Sequence, residues 1–182
     1  MKKIIIITGM PGVGKTTLGK ALAKTINAAF LDKDTVSDKF TNLITKNVTH
    51  EHDKESDFYR SEVRDLEYEV TMDIAIEQIN YINNVIVVGP FTKELKDNLI
   101  FFEKYKKNNI NVEFHFFNII CNKEENKRRI KIRNLPEDKM KLDDWKNYSK
   151  RRKDIKLNKN VLIIKNDEVS LAINKILRII KI

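Results

Sequence analysis

One stretch decides the fold of this chain: Gly9-Met10-Pro11-Gly12-Val13-Gly14-Lys15-Thr16. Four consecutive isoleucines, residues 4–7, stand just before it, and the helix-forming run of residues 17–23 follows. The order is therefore a buried strand, a glycine-rich loop and a helix. In this context the pattern G-x-x-x-x-G-K-[ST] predicts a phosphate-binding loop rather than an ordinary turn.

The residue types of this loop suit a bound triphosphate. Its glycines permit a tight turn that brings backbone N–H groups close to an anion, and the following helix points its positive end to the same place. Lys15 can reach the outer phosphates, and the Thr16 hydroxyl can ligate Mg²⁺. We therefore predict that the nucleotide is contacted by Gly9, Pro11, Gly12, Val13, Gly14, Lys15, Thr16 and Thr17.

The composition is typical of a soluble globular protein. With 182 residues, 41% of them hydrophobic and 34% charged, we expect one domain over residues 1–182. The formal charge of +9 has three candidate explanations: phosphate ligands, nucleic acid, or a general lysine bias. The sequence has no single basic block, which favours the lysine bias. Cys121 is the single cysteine, which excludes an internal disulfide. Because no apolar run reaches membrane-spanning length, we expect a cytoplasmic protein with no membrane partner.

Predicted strands and helices alternate along the chain. Apolar runs predict strands at 2–8, 28–31, 85–88, 112–120 and 161–164, and helices are predicted near 15–27, 32–46, 57–83, 92–109, 122–133, 141–158 and 168–180. The expected buried stripe of the long helix at 57–83 consists of Val63, Leu66, Val70 and Ile74. The alternation predicts a three-layer α/β domain around a parallel sheet.

Two acidic residues, Asp32 and Asp34, follow the second predicted strand. Ligands of open parallel sheets bind beyond the carboxyl ends of the strands. These carboxylates could therefore hold an acceptor hydroxyl, take its proton, or bind Mg²⁺ through water. The alternative is that Asp34 only caps the next helix, and spacing alone does not separate the two.

Arg60 and Arg64 lie four residues apart, a spacing that places two side chains on one face of a helix. Two guanidinium groups on that face could clamp an anionic substrate. The alternative is surface pairing with Asp57 and Glu67.

Arg129 and Arg133 are also one turn apart, in a basic helix that ends at a Pro-containing break. Mobile lids over phosphates use arginines of this kind, and the alternative is a solvated basic face. His50 and His52 lie in a polar segment and are interpreted as solvated rather than metal-binding.

Residues 30–35 read Phe-Leu-Asp-Lys-Asp-Thr. Together with the loop at 9–16, this segment resembles the P-loop small-molecule kinases, which include adenylate, shikimate and gluconate kinases and the zeta-toxin kinases. The segments 58–69 and 133–148 are similar to a set of uncharacterised bacterial kinase-like proteins. The resemblance implies a five-stranded parallel sheet in the order 2-3-1-4-5, with a small helical lid at approximately 129–145.

The resemblance also implies roles for individual residues. Asp34 inherits the role of catalytic base, and Arg129 and Arg133 take the place of lid arginines, acting with Lys15 on the transferred phosphoryl group. The substrate side is expected to comprise Asp32, Asp34, Arg60 and Arg64. The adenine is expected near Asn166 and Asp167, with Arg129 on its opposite side.

One position departs from the family pattern. Many relatives carry an Asp at the end of the third strand that helps to hold Mg²⁺, and this chain has Gly89 there. The metal would then depend on Thr16, the phosphates and water, with Asp32 or Asp34 holding that water.

Taken together, these residues predict an ATP- and Mg²⁺-dependent phosphotransferase acting on a hydroxyl of a small-molecule acceptor. Two alternatives remain. A kinase of polynucleotide or RNA ends would use the same chemistry and would explain the charge of +9 and the basic stretch Lys146–Lys159. A nucleotide-dependent switch protein would need no acceptor, but the paired acids and lid arginines argue against it.

Overall fold

A five-stranded parallel sheet forms the centre of the protein in a computed structural model, which describes residues 1–49, 54, 56–95, 99–135, 138–151 and 158–182. The strands are β1 Lys2–Thr8, β2 Ala29–Asp32, β3 Asn84–Val88, β4 Val112–Ile120 and β5 Val161–Lys165. They lie in the order β2-β3-β1-β4-β5, and every pairing is parallel. The predicted sheet and its strand order are therefore confirmed.

Helices cover both faces of the sheet. Ile5 and Ile7 of the central strand face an apolar cluster built with α1 (Lys15–Ile26) and α8 (Val169–Ile180). Ile4 and Ile6 face the opposite cluster, built with α3 (Arg64–Gln78) and α4 (Ile100–Asn108). The continuous isoleucine run is thus explained by burial on both faces, and the three-layer prediction is confirmed.

The remaining helical elements differ from the predicted ones mainly in length. They are α2 Lys33–Thr49, a π-helical turn Tyr59–Val63, α5 Lys123–Arg133, α6 Asp138–Asp143 and α7 Trp145–Arg151. The predicted helix at 92–109 is shorter because α4 begins only after Leu99, which has a left-handed backbone (φ 65°). The predicted helix at 141–158 is two short helices as far as residue 151. His50, His52 and residues 152–157 lie outside the described residues, and no described helix is long and apolar enough to cross a bilayer.

The π-helical turn changes the buried face of α3. A π turn holds one residue more than an α turn, so it rotates the residues that follow it relative to the predicted register. Val63 is buried as predicted, but Leu66 is 56% exposed and Val70 is 48% exposed. The side chains that reach the core are instead those of Tyr68, Met72, Ala75 and Ile79.

Helix α2 directs a polar face toward the protein interior. Its buried side chains are Lys33, Ser37, Thr41 and Thr45, each one turn after the last. Its large apolar side chains face solvent, with Phe40 71% exposed. This arrangement reverses the usual amphipathic pattern, and its reason lies in the candidate site described next.

Candidate active site

The glycine loop joins the end of β1 to the start of α1 at the carboxyl edge of the sheet. Gly9, Gly12 and Gly14 all have positive φ, at 143°, 79° and 88°. A Cβ atom at Gly12 would lie 2.5 Å from Cγ1 of Ile130 and 2.6 Å from Nδ2 of Asn126. Gly12 is therefore required both by its backbone conformation and by the close approach of α5.

Side chains of α5 and α7 hold the loop through the carbonyl of Pro11. Asn126, fully buried in α5, donates from Nδ2 to this carbonyl at 2.9 Å. The Tyr148 hydroxyl of α7 donates to the same oxygen at 3.3 Å. The role of Asn126 had no sequence signal, because it lies inside a helix otherwise rich in charged residues.

Arg129 holds the loop at Val13. Its Nη1 donates to the Val13 carbonyl at 3.0 Å, and Nδ2 of Asn166 donates to the same oxygen at 2.9 Å. Arg129 also donates to the Asn166 carbonyl at 3.1 Å and to Glu125 at 2.7 Å. Arg129 and the segment after β5 are thus in direct contact beside the loop, where the family resemblance implies the adenine. Oδ1 of the buried Asn166 has no hydrogen-bond partner in the described structure.

Lys15 lies between acidic and basic groups. Its ammonium donates to the Met10 carbonyl at 3.1 Å. Burial lowers the pKa of Lys15 to about 8; Asp34 is the largest influence opposing this decrease, and Arg133 adds to it. The loop lysine therefore lies within the electric field of Asp34 on one side and of the lid on the other.

Asp32 connects β2 to the glycine loop. The Thr16 hydroxyl donates to Oδ2 of Asp32 at 2.8 Å, and Oδ1 accepts the backbone N–H of Asp34 at 3.1 Å. The carboxylate of Asp32 therefore caps the start of α2. Asp34 instead pairs with Lys33 at 2.9 Å, and its side chain is 60% exposed. The structure brings both predicted acids to the mouth of the loop and leaves Asp34 accessible.

A buried carboxylate, Glu67 of α3, binds the polar face of α2. It accepts from Lys33 at 2.7 Å, Ser37 at 3.0 Å and Thr41 at 2.5 Å, and from the Tyr59 hydroxyl of the π-helical turn at 2.7 Å. Burial alone raises the pKa of Glu67, but the charge of Lys33 and these hydrogen bonds hold it below its ordinary value. This network explains why α2 directs polar rather than apolar side chains inward.

Arg60 and Arg64, at the π-helical turn and just after it, form ion pairs with different acids. Arg64 donates to both oxygens of Glu94, at 2.8 and 3.2 Å, and to Asp65 at 2.7 Å. Arg60 is exposed and lies 3.6 Å from Asp57. The pairing of Arg60 with Asp57 is the predicted alternative, whereas the ion pairs shown for Arg64 are with Glu94 and Asp65. That the two arginines contact a substrate stays a prediction.

The second lid arginine is held by an acid that the sequence analysis did not single out. Arg133 donates through two nitrogens to Asp138, and Lys141 donates to the same carboxylate at 2.9 Å. Burial alone raises the pKa of Asp138, but hydrogen bonds from Arg133 and Lys141 lower it overall. Two cations of the lid are therefore grouped on one buried carboxylate near Lys15.

The oxygen atoms at the loop suit a hard cation. The Thr16 hydroxyl and the Asp32 carboxylate are in contact, and both are ligand types that Mg²⁺ prefers, directly or through water. At the end of β3, Gly89 lies against the Lys33 side chain and supplies no carboxylate. No cluster of three or more His, Cys, Asp or Glu side chains suited to a metal occurs among the described residues.

Comparison with known proteins relates this geometry to a family. A family model described as an AAA domain matches residues 5–157. A shikimate kinase of Clostridium botulinum (strain Eklund 17B / Type B) is 34% identical over 89 residues, which are 49% of this chain and 47% of that protein. A shikimate kinase of Caldanaerobacter subterraneus is 36% identical over 53 residues, 29% of this chain and 31% of that protein. The aligned region thus spans at most about half the length of these relatives.

Solved structures show the same fold. The shikimate kinase of Bacteroides thetaiotaomicron superposes with a TM-score of 0.62 at 21% identity, over 100% of this chain and 99% of that one. A gluconokinase of Sinorhizobium meliloti 1021 gives a TM-score of 0.57 at 15% identity, over 98% and 94%. The chain therefore has the fold of P-loop small-molecule kinases, as the loop and the segment 30–35 predicted.

Proposed function

The chain belongs to the AAA-domain family, and on this premise we propose that it is an ATP-dependent phosphotransferase acting on a hydroxyl of a small molecule. The observation that carries the proposal is the contact between Thr16 and Asp32, with Asp34 next to it and 60% exposed. A phosphate-binding loop facing an accessible carboxylate is the arrangement that phosphoryl transfer to a hydroxyl needs. The names of the curated relatives support the same reaction class.

In the proposed reaction, the triphosphate lies on residues 9–17. The oxygen of the acceptor hydroxyl forms a bond to the γ-phosphorus, the bond from that phosphorus to the bridging oxygen breaks, and ADP leaves. Asp34 accepts the hydrogen bond of the hydroxyl and takes its proton. Lys15, Arg129 and Arg133 bind the charge that is spread over the phosphoryl oxygens.

Mg²⁺ would be held by Thr16, with Asp32 binding its water, and when bound it would neutralise phosphate charge. The remaining work of the chain is positioning. Asp32 fixes the first turn of α2 and hence the backbone of Asp34, while Glu67 holds that helix against α3. Such reactions depend mainly on positioning and electrostatics, so these few groups are sufficient.

The test combines nucleotide binding with acceptor-dependent turnover. Calorimetry compares ATP binding by the wild type, Lys15→Ala and the control Lys20→Ala, whose lysine lies on the exposed part of α1. ADP release is then followed with a panel of sugars, polyols and amino alcohols, and with an oligonucleotide bearing a free 5′ hydroxyl. We expect turnover that requires Lys15 and a small hydroxyl compound.

Two results would contradict the proposal. A folded wild type that does not bind ATP would remove the nucleotide site. Turnover only with the oligonucleotide, with binding that weakens steeply as salt rises, would replace the small acceptor with a nucleic-acid end.

A further inference from the structure

One cation of the predicted substrate side, Arg64, is already neutralised. Arg64 forms a two-point ion pair with Glu94, whose side chain is only 4% exposed, and a further pair with Asp65. Its guanidinium also stacks on the Tyr68 ring, 4.5 Å from the centroid. An anionic ligand that captured Arg64 would have to leave Glu94 as a buried, unpaired carboxylate, which is strongly unfavourable.

Lys33 is neutralised in the same way and also lies over the Tyr68 ring. Its ammonium contacts Glu67 at 2.7 Å and Asp34 at 2.9 Å, and it lies 5.6 Å from the centre of the Tyr68 ring. The Tyr68 ring therefore contacts both ion-paired cations, Lys33 and Arg64. We call the surface that these ion pairs form the acceptor wall. It comprises Asp32, Lys33, Asp34, Arg64, Glu67 and Glu94.

The acceptor wall has an excess of negative charge. It carries four carboxylates against two cations, since Asp65, which pairs with Arg64, is balanced by Lys93 at 3.0 Å. The carboxylates of Glu67 and Glu94 are buried, whereas that of Asp34 is 60% exposed. On the lid side, the described residues Arg133 and Lys141 bring two cations to the carboxylate of Asp138.

We propose, on the basis of the function proposed above, that the phosphate acceptor is a neutral or amine-bearing hydroxyl compound rather than a carboxylate or phosphate ester. The acceptor wall presents hydrogen-bond acceptors and negative charge to such a molecule, while the lid side and Lys15 attract the triphosphate. An ammonium group on the acceptor would complete the charge of the wall, whereas a carboxylate would meet repulsion from Asp34. The acceptor wall and the lid side thus favour ligands of opposite charge.

The first test measures the local potential without any substrate. Two nitroxide probes with the same ring, one bearing an amine and one a carboxylate, are added in turn to ¹⁵N-labelled protein. We expect the amine probe to increase the relaxation rates of the backbone amide protons of Asp34 and Thr35 more than the carboxylate probe does. At the amides of Gly12 and Gly14, the carboxylate probe should have the larger effect, as expected for a protein with a charge of +9. Equal relaxation, or stronger relaxation by the carboxylate probe, at Asp34 and Thr35 would overturn the proposal.

A pair of variants assigns the effect to the wall. Glu94→Gln removes the charge of the buried partner of Arg64. The control, Glu69→Gln, removes the same charge from an exposed ion pair with Lys104. The amine-to-carboxylate relaxation ratio at Asp34 should fall about twofold or more in Glu94→Gln and stay unchanged in Glu69→Gln. If Glu94→Gln does not fold, the wild-type measurement still decides. An equal change in both folded variants would contradict the role of the wall.

The second test uses acceptors that share one ring: glucosamine, glucose and glucuronate, with shikimate and gluconate added. Turnover that ranks glucuronate, shikimate or gluconate above glucose would overturn the inference, and the reverse order would support it. Failure of the proposed function gives a different result, namely no ATP turnover that depends on Lys15 with any acceptor. In that case the amine-to-carboxylate relaxation ratios at Asp34 and Thr35 alone decide whether the acceptor wall carries negative charge.

Discussion

Thr16, the last residue of the glycine loop, donates its hydroxyl to Asp32, the last residue of β2, at 2.8 Å. Between them in the sheet lies β3, so the contact connects the loop after the central strand to the edge strand. The same carboxylate caps the first turn of α2 through the N–H of Asp34. The nucleotide side and the acceptor side are therefore joined at one carboxyl group.

We expect ATP affinity to fall as pH rises through 8. Burial lowers the pKa of Lys15 to about 8, so the free protein loses this positive charge above that pH, and a bound triphosphate favours the protonated form. ATP binding should therefore take up protons near pH 8, measured by calorimetry in buffers of different ionisation enthalpy. Lys15→Ala should abolish the uptake and lower affinity about 10- to 100-fold. Proton release on binding would contradict this.

Asp34→Asn is expected to retain ATP binding and lose turnover by about 100-fold or more, because an amide cannot take the proton of the acceptor hydroxyl. The measurement is calorimetry for binding and ADP release for turnover, once an acceptor is identified. Asp38→Asn is the matched control, one turn along the same helix and paired with Lys54 at 2.5 Å. Wild-type turnover in Asp34→Asn would remove this residue from the mechanism.

Removing the Asn126 side chain should weaken the attachment of α5 to the glycine loop. Its buried amide supplies one of the two side-chain hydrogen bonds shown at the Pro11 carbonyl. We expect Asn126→Ala to lower the free energy of unfolding by about 1–3 kcal/mol and to weaken ATP binding. Chemical denaturation and calorimetry measure the two effects. Asn147→Ala, at an exposed residue of α7, should change neither, and unchanged ATP binding in folded Asn126→Ala would refute the link to the loop.

Glu67→Gln should destabilise the protein in a pH-dependent way. The pKa of Glu67 is lower in the folded protein than its ordinary value of 4.5, so its stabilisation is present above that pH and is lost as pH falls through the folded value. We expect a loss of about 3 kcal/mol at pH 7, because Lys33 is left buried without its full partner. Urea denaturation of both proteins should show the difference shrinking below pH 4.5. A difference that does not depend on pH would indicate a purely steric effect.

The parts of the site that depend on local pattern could be predicted from the sequence. The glycine spacing, the isoleucine run and the acids after β2 are each specified within a few residues, and the structure brings Asp32 and Asp34 to the loop. The family resemblance supplied the strand order, which the structure confirms.

The parts that depend on an irregular turn could not be predicted. The buried stripe predicted for the long helix assumes regular α-helical spacing, and the π-helical turn breaks that assumption. The same turn exposes Leu66 and Val70.

Long-range polar contacts were also hidden. The residues Ser37, Thr41 and Thr45 resemble a solvated helical face until Glu67, far along the chain, is seen to bind that face. Asn126 gave no signal for the same reason, because its partner, the Pro11 carbonyl, is far from it in the sequence.

The place of β2 at the border of the sheet has a consequence for evolution and for engineering. A strand with a neighbour on one side only can be exchanged together with the helix that follows it, while the central strand and its glycine turn keep their surroundings. Grafting residues 29–49 from another member of the family, with Asp32 kept and with that member's counterpart of Glu67, is therefore the smallest replacement that should redirect the proposed phosphoryl transfer to a new alcohol while leaving the proposed ATP site intact.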